Sequence, residues 1–298
     1  MMNLSSLISE IDSDISIDKS LFVSSITLDS RKVVEGSLFL AVPGEKSHGA
    51  LFIDDAISRG ATSIIFDQWE NPLPSEKPIY KVPHLRQLIP KLSQKAFGSL
   101  GEDLFIVGVT GTNGKSTTVD FVMQLANHLG YSAGRIGTLG VALDGEFISD
   151  LSLTTPDYLT LFQACRTLED KGAKIIAIEA SSHGLSQKRV QGIPFSVAAL
   201  TSFSRDHLDY HGTLNNYAEA KALLFKTDSL KVQILPLGNK YTKQIVRDDL
   251  KSITFGEKKE ANLFVHSLET EISGSRFFLN TPVCETEVFF PILGKFNV

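Results

Sequence analysis

The sequence has few cysteines, no long apolar run and no excess of positive charge. Its two cysteines, Cys165 and Cys284, lie far apart in a chain of 298 residues, which excludes a disulfide framework and a thiolate metal cluster. Each is expected to be a small buried apolar residue. No run approaches the roughly 18 apolar residues of a membrane span, and the acidic N-terminus lacks the basic region of a signal peptide. These absences predict a folded cytoplasmic protein without membrane contact.

The charge balance argues against a nucleic-acid partner. Lys and Arg number 29 against 34 Asp and Glu, a net charge of −5, so the chain has no general attraction for polyanions. Any phosphate binding must therefore be local. Apolar residues make up 42% and charged residues 21%, which is ordinary for a globular protein, and the length suggests two domains at about 150 residues each.

The pattern of apolar runs predicts two α/β domains. Residues 26–67 read strand, turn, strand, helix, strand, and residues 68–83 contain four prolines, which disfavour a helix or central strand and predict a linker. We therefore expect a small α/β domain over residues 1–88 and a second domain over residues 89–298. In the second, strands and helices alternate, which is typical of a mostly parallel sheet with helices on both faces. The last forty residues resemble short antiparallel strands.

A glycine-rich segment opens the second domain between a predicted strand and an amphipathic helix. It consists of Gly111, Thr112, Asn113, Gly114, Lys115, Ser116 and Thr117. Backbone amides at a helix start can surround phosphate oxygens, a lysine can neutralise them, and a serine can hold Mg²⁺. The strict G-x4-G-K spacing is missing because residue 109 is valine. ATP or GTP binding by a P-loop-type domain is predicted, and an ordinary glycine-rich turn is the alternative. The helix is expected to bury its apolar positions, which are Val119, Val122, Leu125, Ala126 and Leu129.

Acidic and imidazole side chains follow the next two predicted strands. Glu179 ends one strand, and His207 and His211 lie in the polar segment after the other. Ligands of open α/β sheets bind at the carboxyl ends of strands, so Glu179 is placed to reach the metal of a nucleotide. The alternative for Glu179 is a capping or surface carboxylate, and either histidine can instead cap or pack. Lys221 lies in a predicted helix, where composition favours a solvated lysine.

Several segments together resemble the Mur ligases, the ATP-dependent amide ligases of peptidoglycan precursor synthesis. They are TGTNGKST at 110–117, TTPD at 154–157, EASSHG at 179–184 and SRDHLDYHG at 204–212, followed by YAEAKALLF. With LDSR at 28–31, they are most similar to the MurE group, which adds the third amino acid to UDP-N-acetylmuramoyl-L-alanyl-D-glutamate. The match runs in the family's order to residues 293–298. The chain is thus expected to lack the end of the central domain and the C-terminal domain, and to be inactive by itself.

The resemblance implies roles for individual residues. Gly111 to Thr117 would hold ATP, with Lys115, Lys221 and His207 as catalytic residues. Mg²⁺ would be held by Ser116, Glu179, His207 and Lys221, the last carrying CO₂ as a carbamate. The UDP-sugar would be bound by Leu28, Ser30, Glu45, Lys46 and Ser47, and the muramoyl-dipeptide by Thr154, Thr155, Ser181, Gln187 and Arg189. ATP would phosphorylate the D-Glu γ-carboxylate, and the amine of a free amino acid, meso-diaminopimelate or L-lysine, would then attack.

Two departures from the family pattern lie near the predicted nucleotide site. Ser202 stands where the family usually has asparagine, and residues 231–239 lack an Asn-Asp-Asp run. Two other functions therefore stay open: a non-catalytic nucleotide or UDP-sugar binding protein, and another ligase of the superfamily, such as a folylpolyglutamate synthetase. Binding of folate rather than a UDP-sugar would select the latter.

Overall fold

The computed structural model describes residues 1–9, 17–45, 47–74, 77–292 and 294. The chain divides into two compact units, Met1–Gly101 with Asp157–Thr167, and Glu102–Pro156 with Leu168–Val298. The boundary predicted near residue 88 falls inside a helix, and the first unit continues to Gly101.

The first unit contains a four-stranded parallel sheet. Its strand order is β3-β4-β5-β6, and β1 pairs with β2 separately. All five residues of the inner strand β4 are buried, as is typical of parallel strands covered on both faces. The elements of this unit are β1 Met2–Asn3, α1 Leu4–Ser9, β2 Phe22–Val23, β3 Ser25–Thr27, β4 Ser37–Ala41, α2 Ile53–Ser58, β5 Ala61–Phe66, β6 Ile79–Lys81 and α3 Leu85–Phe97, with 3₁₀ turns at Ser30–Lys32 and Gly49–Phe52.

The predicted linker was wrong in part, because it contains a strand. Residues 79–81 form β6, which pairs in parallel with β5. Pro78 immediately precedes this strand, and its carbonyl accepts the Ile64 amide at 3.0 Å. Proline is tolerated at the start of an edge strand, where its missing N–H breaks no ladder. The prolines therefore restrict this segment to the sheet edge without preventing a strand.

The second unit contains an eleven-stranded sheet within the described residues. Its order is β10-β9-β8-β11-β7-β12-β13-β14-β15-β16-β17. The helix α5 Tyr158–Asp170 lies mostly in the residues of the first unit, which include Asp157–Thr167. The elements of the second unit are β7 Phe105–Thr110, α4 Lys115–His128, β8 Ala133–Gly137, β9 Gly140–Leu143, β10 Glu146–Ser149, β11 Ile175–Glu179, α6 Ser182–Ser186, β12 Val197–Leu200, α7 Leu208–His211, α8 Leu214–Phe225, β13 Val232–Pro236, α9 Thr242–Ile245, β14 Lys251–Gly256, β15 Leu263–Glu271, β16 Gly274–Asn280 and β17 Glu285–Phe290.

In the order of the sheet, each strand from β8 through β11, β7, β12, β13 and β14 to β15 pairs in parallel with the next. The outer strands pair antiparallel; they are β9 and β10 at one edge and β16 and β17 at the other. This confirms the predicted α/β fold with a mostly parallel sheet, including the antiparallel strands at the end. Alternate residues of β7 face opposite sides. Val107 and Val109 pack with Val119 of α4, whereas a Cβ on Gly108 would meet Leu224 of α8 at 2.8 Å. Helices therefore cover both faces, and β7 lies between β11 and β12 at the centre.

The apolar stripe of α4 is narrower than predicted. Leu125 and Leu129 are 64% and 73% exposed, whereas Met123 is buried together with Val119 and Ala126. These three buried positions recur at spacings of four and three, which is one face of a helix. No helix in the described part of the chain combines the length and the apolarity that crossing a membrane requires.

The two cysteines differ in exposure. Cys165 is buried as predicted, but Cys284 is exposed. Cys284 lies in the connection between β16 and β17, where its backbone carbonyl accepts from Thr281. The expectation of a buried residue at 284 was wrong because the hairpin places this connection in solvent.

Candidate active site

The glycine-rich segment joins the end of β7 to the start of α4. Gly111 has φ of 152° and Gly114 has φ of 84°, backbone conformations that favour glycine. A Cβ on Gly111 would lie 1.9 Å from Thr201 Oγ1 and 3.0 Å from the Ser202 nitrogen. Only glycine therefore fits at this close approach. The first amides of α4 have no acceptors within the helix, so the loop presents N–H donors together with the positive end of the helix dipole.

The two residues after β12 hold this loop in place. The Ser202 carbonyl accepts the Thr112 amide at 2.9 Å. Its hydroxyl accepts the Asn113 amide at 3.0 Å and lies 3.1 Å from the Asn113 carbonyl, to which it can donate. Thr201 Oγ1 donates to the same carbonyl at 2.6 Å. Ser202, the departure from the family's asparagine, thus supplies both an acceptor and a donor to the loop.

Lys115 lies over the loop from the first turn of α4. Its Nζ donates to the Gly111 and Thr112 carbonyls, each at 3.0 Å. Burial lowers the pKa of Lys115, against the opposing charges of Glu179 and Asp206. The ammonium group is thus held by two carbonyl dipoles of the loop.

Glu179 lies at the end of β11 and is only 1% exposed, so the alternative of a surface carboxylate was wrong. One of its oxygens accepts from Ser116 Oγ at 3.0 Å, and the other accepts the Thr138 amide at 2.8 Å. A Cβ on Gly137 would lie 2.1 Å from the carboxylate. Sequence reasoning missed Gly137 and Thr138 because it did not predict β8, where two glycines weaken the strand pattern. The signal available in the sequence was that Gly137 and Thr138 lie at the carboxyl end of a parallel strand.

Lys221 is also 1% exposed, so the alternative of a solvated lysine was wrong. Its Nζ donates to the Gly111 carbonyl at 2.9 Å and lies 4.3 Å from the centre of the Tyr217 ring. Burial and the charge of Lys115 lower the pKa of Lys221 to about 7, with Asp206 opposing the shift. Two lysines thus share one carbonyl acceptor, and the repulsion between their charges favours a neutral amine at Lys221.

Burial separates the two histidines that the sequence did not rank. His207 is exposed, with φ of 49° and its Nε2 3.6 Å from Asp206 Oδ2. His211 is buried, and its Nε2 lies 3.0 Å from Ser182 Oγ. Burial lowers the pKa of His211. His207 therefore has a ring that can meet a ligand, whereas His211 packs inside.

The five residues expected to hold the muramoyl-dipeptide connect to Glu179. Thr155 Oγ1 donates to the Glu179 carbonyl at 2.8 Å and accepts the Ser181 amide at 2.9 Å. Arg189 donates to the Thr155 carbonyl at 2.7 Å and to Gln187 Oε1. Thr154 Oγ1 accepts from Thr138 at 3.0 Å. The structure thus joins Thr155, Ser181, Gln187 and Arg189 in one hydrogen-bonded group at the Glu179 backbone, and it links Thr154 to the Glu179 carboxylate through Thr138.

The residues expected to hold the UDP-sugar belong to the first unit. Leu28 and Ser30 lie around the first 3₁₀ turn, where Ser30 is buried. Glu45 and Ser47 lie in a tight turn in which the Gly44 amide donates to the Ser47 carbonyl at 3.0 Å. Lys46 lies outside the described residues.

The donor set suits a hard cation bound together with phosphate. No group of three or more His, Cys, Asp or Glu side chains in the described ranges could hold a metal ion. Mg²⁺ characteristically takes one or two protein oxygens plus phosphate oxygens and waters, and Ser116 and Glu179 lie 3.0 Å apart at the loop. Lys221 fits such a site only without its positive charge.

Comparison with known proteins decides the family. Residues 109–298 match the Mur ligase middle domain, and residues 22–96 match the Mur ligase family, catalytic domain. The chain belongs to the Mur ligase family. It is 37% identical over 286 residues to the UDP-N-acetylmuramoyl-L-alanyl-D-glutamate–2,6-diaminopimelate ligase of Pseudomonas syringae pv. tomato, covering 94% of this chain and 58% of the relative. The family assignment made from the motifs is confirmed.

Solved structures agree with this assignment. A structure of a UDP-N-acetylmuramoyl-L-alanyl-D-glutamate–2,6-diaminopimelate ligase superposes with a TM-score of 0.76 at 31% identity, covering 97% of this chain and 60% of that one. The MurF ligase of Thermotoga maritima in complex with ADP gives 0.65 at 21% identity, covering 91% and 59%, and it supports the fold alone. This Mur ligase chain thus spans about three fifths of the length of these relatives.

Proposed function

We propose that this chain carries the nucleotide and UDP-substrate sites of an ATP-dependent ligase. The ligase joins an amino acid to UDP-N-acetylmuramoyl-L-alanyl-D-glutamate. The proposal depends above all on one observation: Lys115 and Lys221 both donate to the Gly111 carbonyl, beside the Ser116–Glu179 pair. An ordinary glycine-rich turn gives no reason to direct two lysines, one of them buried, at the carbonyl of its first residue.

The residues of the loop bind and orient ATP in this proposal. The amides at the start of α4 donate to phosphate oxygens, and Lys115 leaves the loop carbonyls to neutralise the transferring phosphate. Ser116, Glu179 and His207 would hold Mg²⁺, which would supply charge stabilisation on that phosphate when bound. Arg189 and its neighbours orient the dipeptide, with the guanidinium as a natural partner for a carboxylate. The γ-carboxylate of D-Glu accepts the phosphate, and the incoming amine displaces it to form the amide.

Lys221 serves as a carbamate in this proposal. A neutral Nζ attacks the carbon of CO₂, an N–C bond forms as one C=O π bond opens onto oxygen, and one N–H proton leaves to water, so the neutral amine becomes an anionic carbamate. An anionic oxygen can then bind Mg²⁺, which an ammonium group would repel. A pKa of about 7 keeps a large share of the amine neutral at neutral pH.

We infer 2,6-diaminopimelate as the added amino acid rather than L-lysine, because the relatives described above are named for it. Both substrates are water-soluble, which favours a cytoplasmic enzyme.

Calorimetric titration with UDP-N-acetylmuramoyl-L-alanyl-D-glutamate tests the proposal, with and without Mg²⁺ and a non-hydrolysable ATP analogue. Binding that is lost when the dipeptide is removed from the ligand is expected. A folate ligand serves as the competing substrate. Binding of folate instead, or failure of the folded chain to bind the ATP analogue, would contradict the assignment.

Lys221→Ala in a longer protein that turns over tests the catalytic part. Turnover should fall at least about a hundredfold, since a metal ligand is lost, and added bicarbonate should not restore it. The control is Lys226→Ala, an exposed lysine at the end of the same helix, which should keep full activity. ATP hydrolysis that ignores both the dipeptide and the amino acid would overturn the ligase assignment.

A further inference from the structure

A charged side chain lies on the face of β8 that α4 covers. Residues 133, 135 and 137 of β8 point to the same side of the sheet, where Ala133 packs with Met123 and Ala126 of α4. Strands covered by helices ordinarily carry apolar residues at such positions. Arg135 nevertheless occupies the middle position, and its side chain is only 13% exposed. A guanidinium buried to this extent needs compensating partners.

Two groups on different elements meet this guanidinium. Its Nε lies 2.9 Å from Oδ1 of Asp120, in the second turn of α4. Its Nη1 donates to the Leu139 carbonyl at 2.9 Å. Arg135 therefore joins the helix that follows the phosphate loop to the turn that follows β8.

The turn after β8 consists of Thr138 and Leu139. It lies between Gly137 and Gly140, which pair across β8 and β9, and Gly140 has φ of 77°. Glycines on both sides leave the backbone with wide conformational freedom. The Leu139 side chain is 54% exposed, so it does not pack the turn against the core. The bond from Arg135 to the Leu139 carbonyl therefore restrains a turn that its own residues leave loose.

The same turn holds the Glu179 carboxylate. The Thr138 amide donates to Oε1 at 2.8 Å, whereas Ser116 Oγ donates to Oε2 at 3.0 Å. Ser116 and Asp120 are four residues apart and lie on one face of α4. Glu179 is thus bonded both to α4 and to the turn. Because Arg135 links the same two elements, these contacts form a closed ring.

We propose that Arg135 is a positioning residue that makes the Ser116–Glu179 pair selective for Mg²⁺ over larger cations such as Ca²⁺. By fixing the turn to α4, it sets the position of the Thr138 amide, which holds one carboxylate oxygen and leaves the other directed towards Ser116. Mg²⁺ demands nearly ideal ligand geometry, whereas Ca²⁺ accepts flexible arrangements, so a rigid carboxylate favours the smaller ion.

This inference depends on the proposed function, which assigns a cation to Ser116 and Glu179. Arg135 acts through the turn and need not touch the cation or the nucleotide. Its effect is therefore expected in the preference between cations rather than in nucleotide binding as such.

Calorimetric titration of the whole chain with a non-hydrolysable ATP analogue tests this preference, with Mg²⁺, with Ca²⁺ and without a divalent cation. The wild type should bind the analogue more tightly with Mg²⁺ than with Ca²⁺. In Arg135→Met, whose apolar side chain fills much of the same space, binding with Mg²⁺ should weaken about tenfold. Binding with Ca²⁺ or without a cation should stay within about threefold of the wild type. An equal loss under all three conditions would mean a general structural role and would overturn the inference.

Two further variants test the link itself. Asp120→Ala removes its partner on α4, so binding with Mg²⁺ should again weaken more than binding with Ca²⁺. Combined with Arg135→Met, it should cause no further loss, because both changes break one link. Arg276→Met is the matched control, since it removes an exposed arginine that pairs with Glu287 between β16 and β17, and it should bind like the wild type. Additive losses in the double variant would overturn the inference.

Amide hydrogen exchange of the free chain distinguishes failure of this inference from failure of the proposed function. The Thr138 amide should be protected in the wild type and in Arg276→Met, and it should exchange at least about tenfold faster in Arg135→Met. Retained protection in Arg135→Met would overturn the inference whatever the nucleotide binding shows. Protection that depends on Arg135, together with no binding of the ATP analogue by the wild type, would mean that the link exists and that the assigned ligand, and with it the cation selectivity, is wrong.

Discussion

At the scale of single residues, burial distinguishes two ionisable side chains of the candidate site from those on the protein surface. Lys221 and Glu179 are each 1% exposed, but their surroundings differ. Glu179 accepts hydrogen bonds from Ser116 and Thr138, which satisfies its charge. The Nζ of Lys221 has a carbonyl acceptor and an aromatic ring but also the repelling charge of Lys115. Hydrogen bonds therefore satisfy one buried group, whereas the other is driven towards its neutral form.

The lowered pKa of Lys221 predicts selective carbamate formation. At pH 7 an amine with a pKa of about 7 is half neutral, whereas an ordinary lysine is neutral in about one part in 2,500. NMR with ¹³C-bicarbonate should show one protein carbamate signal at neutral pH. The signal should disappear in Lys221→Ala and persist in Lys226→Ala. A signal that survives Lys221→Ala would assign the reactive amine elsewhere.

The exposure of the cysteines predicts their reactivity. In the folded chain a thiol reagent such as Ellman's reagent should label Cys284 rapidly and leave Cys165 unreacted, because only the first is exposed. Denaturant should make both thiols reactive. Cys284→Ser should remove the rapid phase, and rapid labelling that persists in this variant would contradict the burial of Cys165.

At the scale of elements, the phosphate loop depends on a strand distant in sequence. The end of β12 supplies Thr201 and Ser202, which bind the amides and carbonyl of Thr112 and Asn113. The loop is therefore shaped by the neighbouring strand as well as by its glycines. Loop residues held this way are ordered before a ligand arrives, which reduces the entropy cost of binding.

Replacing Ser202 tests this role. Ser202→Ala removes a donor and an acceptor from Asn113, so affinity for an ATP analogue should fall about fivefold to tenfold. Ser202→Asn should keep most of the affinity, since an amide also has both groups. Ser149→Ala, at an exposed serine of β10, is the matched control. Equal affinity in Ser202→Ala and the wild type would mean that the loop keeps its shape without this hydroxyl.

At the scale of the whole molecule, burial of one lysine couples stability to pH. Lys221 has a pKa of about 7 when folded, against an ordinary lysine value of 10.5, so the unfolded chain binds more protons between these values. The free energy of unfolding of the unit that contains Lys221 should therefore rise as the pH rises from 7 towards 10.5. This gain should be lost again as the pH falls back to 7. The full difference is on the order of 5 kcal/mol.

Lys221→Met should remove most of this dependence and raise the free energy of unfolding at pH 7, because no charge is then buried. Denaturant titrations at pH 7 and 9.5 in CO₂-free buffer measure the free energy of unfolding at the two pH values. The single tryptophan, Trp69, lies in the first unit, so circular dichroism or hydrogen exchange of β7 and α8 must report on the second. Lys226→Met is the control and should keep the wild-type slope. A wild-type slope in Lys221→Met would refute the coupling.

The sequence by itself determined the fold class, the family and the positions of the loop, because these follow from local patterns. Apolar periodicity specifies helices and strands. The residues Gly111 to Thr117 can be recognised as a strand-to-helix turn from the local sequence, whatever residues contact them in the fold. Only the tertiary structure decided what surrounds each side chain. Lys221 and Leu125 both lie in helices, yet the lysine is buried and the leucine 64% exposed. The sequence analysis missed β8 because Gly134 and Gly137 weaken its strand pattern. Glycine is needed at these positions because a Cβ would collide with Leu168 and Glu179, which are distant in sequence. Burial, pKa and partner choice depend on such long-range contacts, which local patterns do not encode.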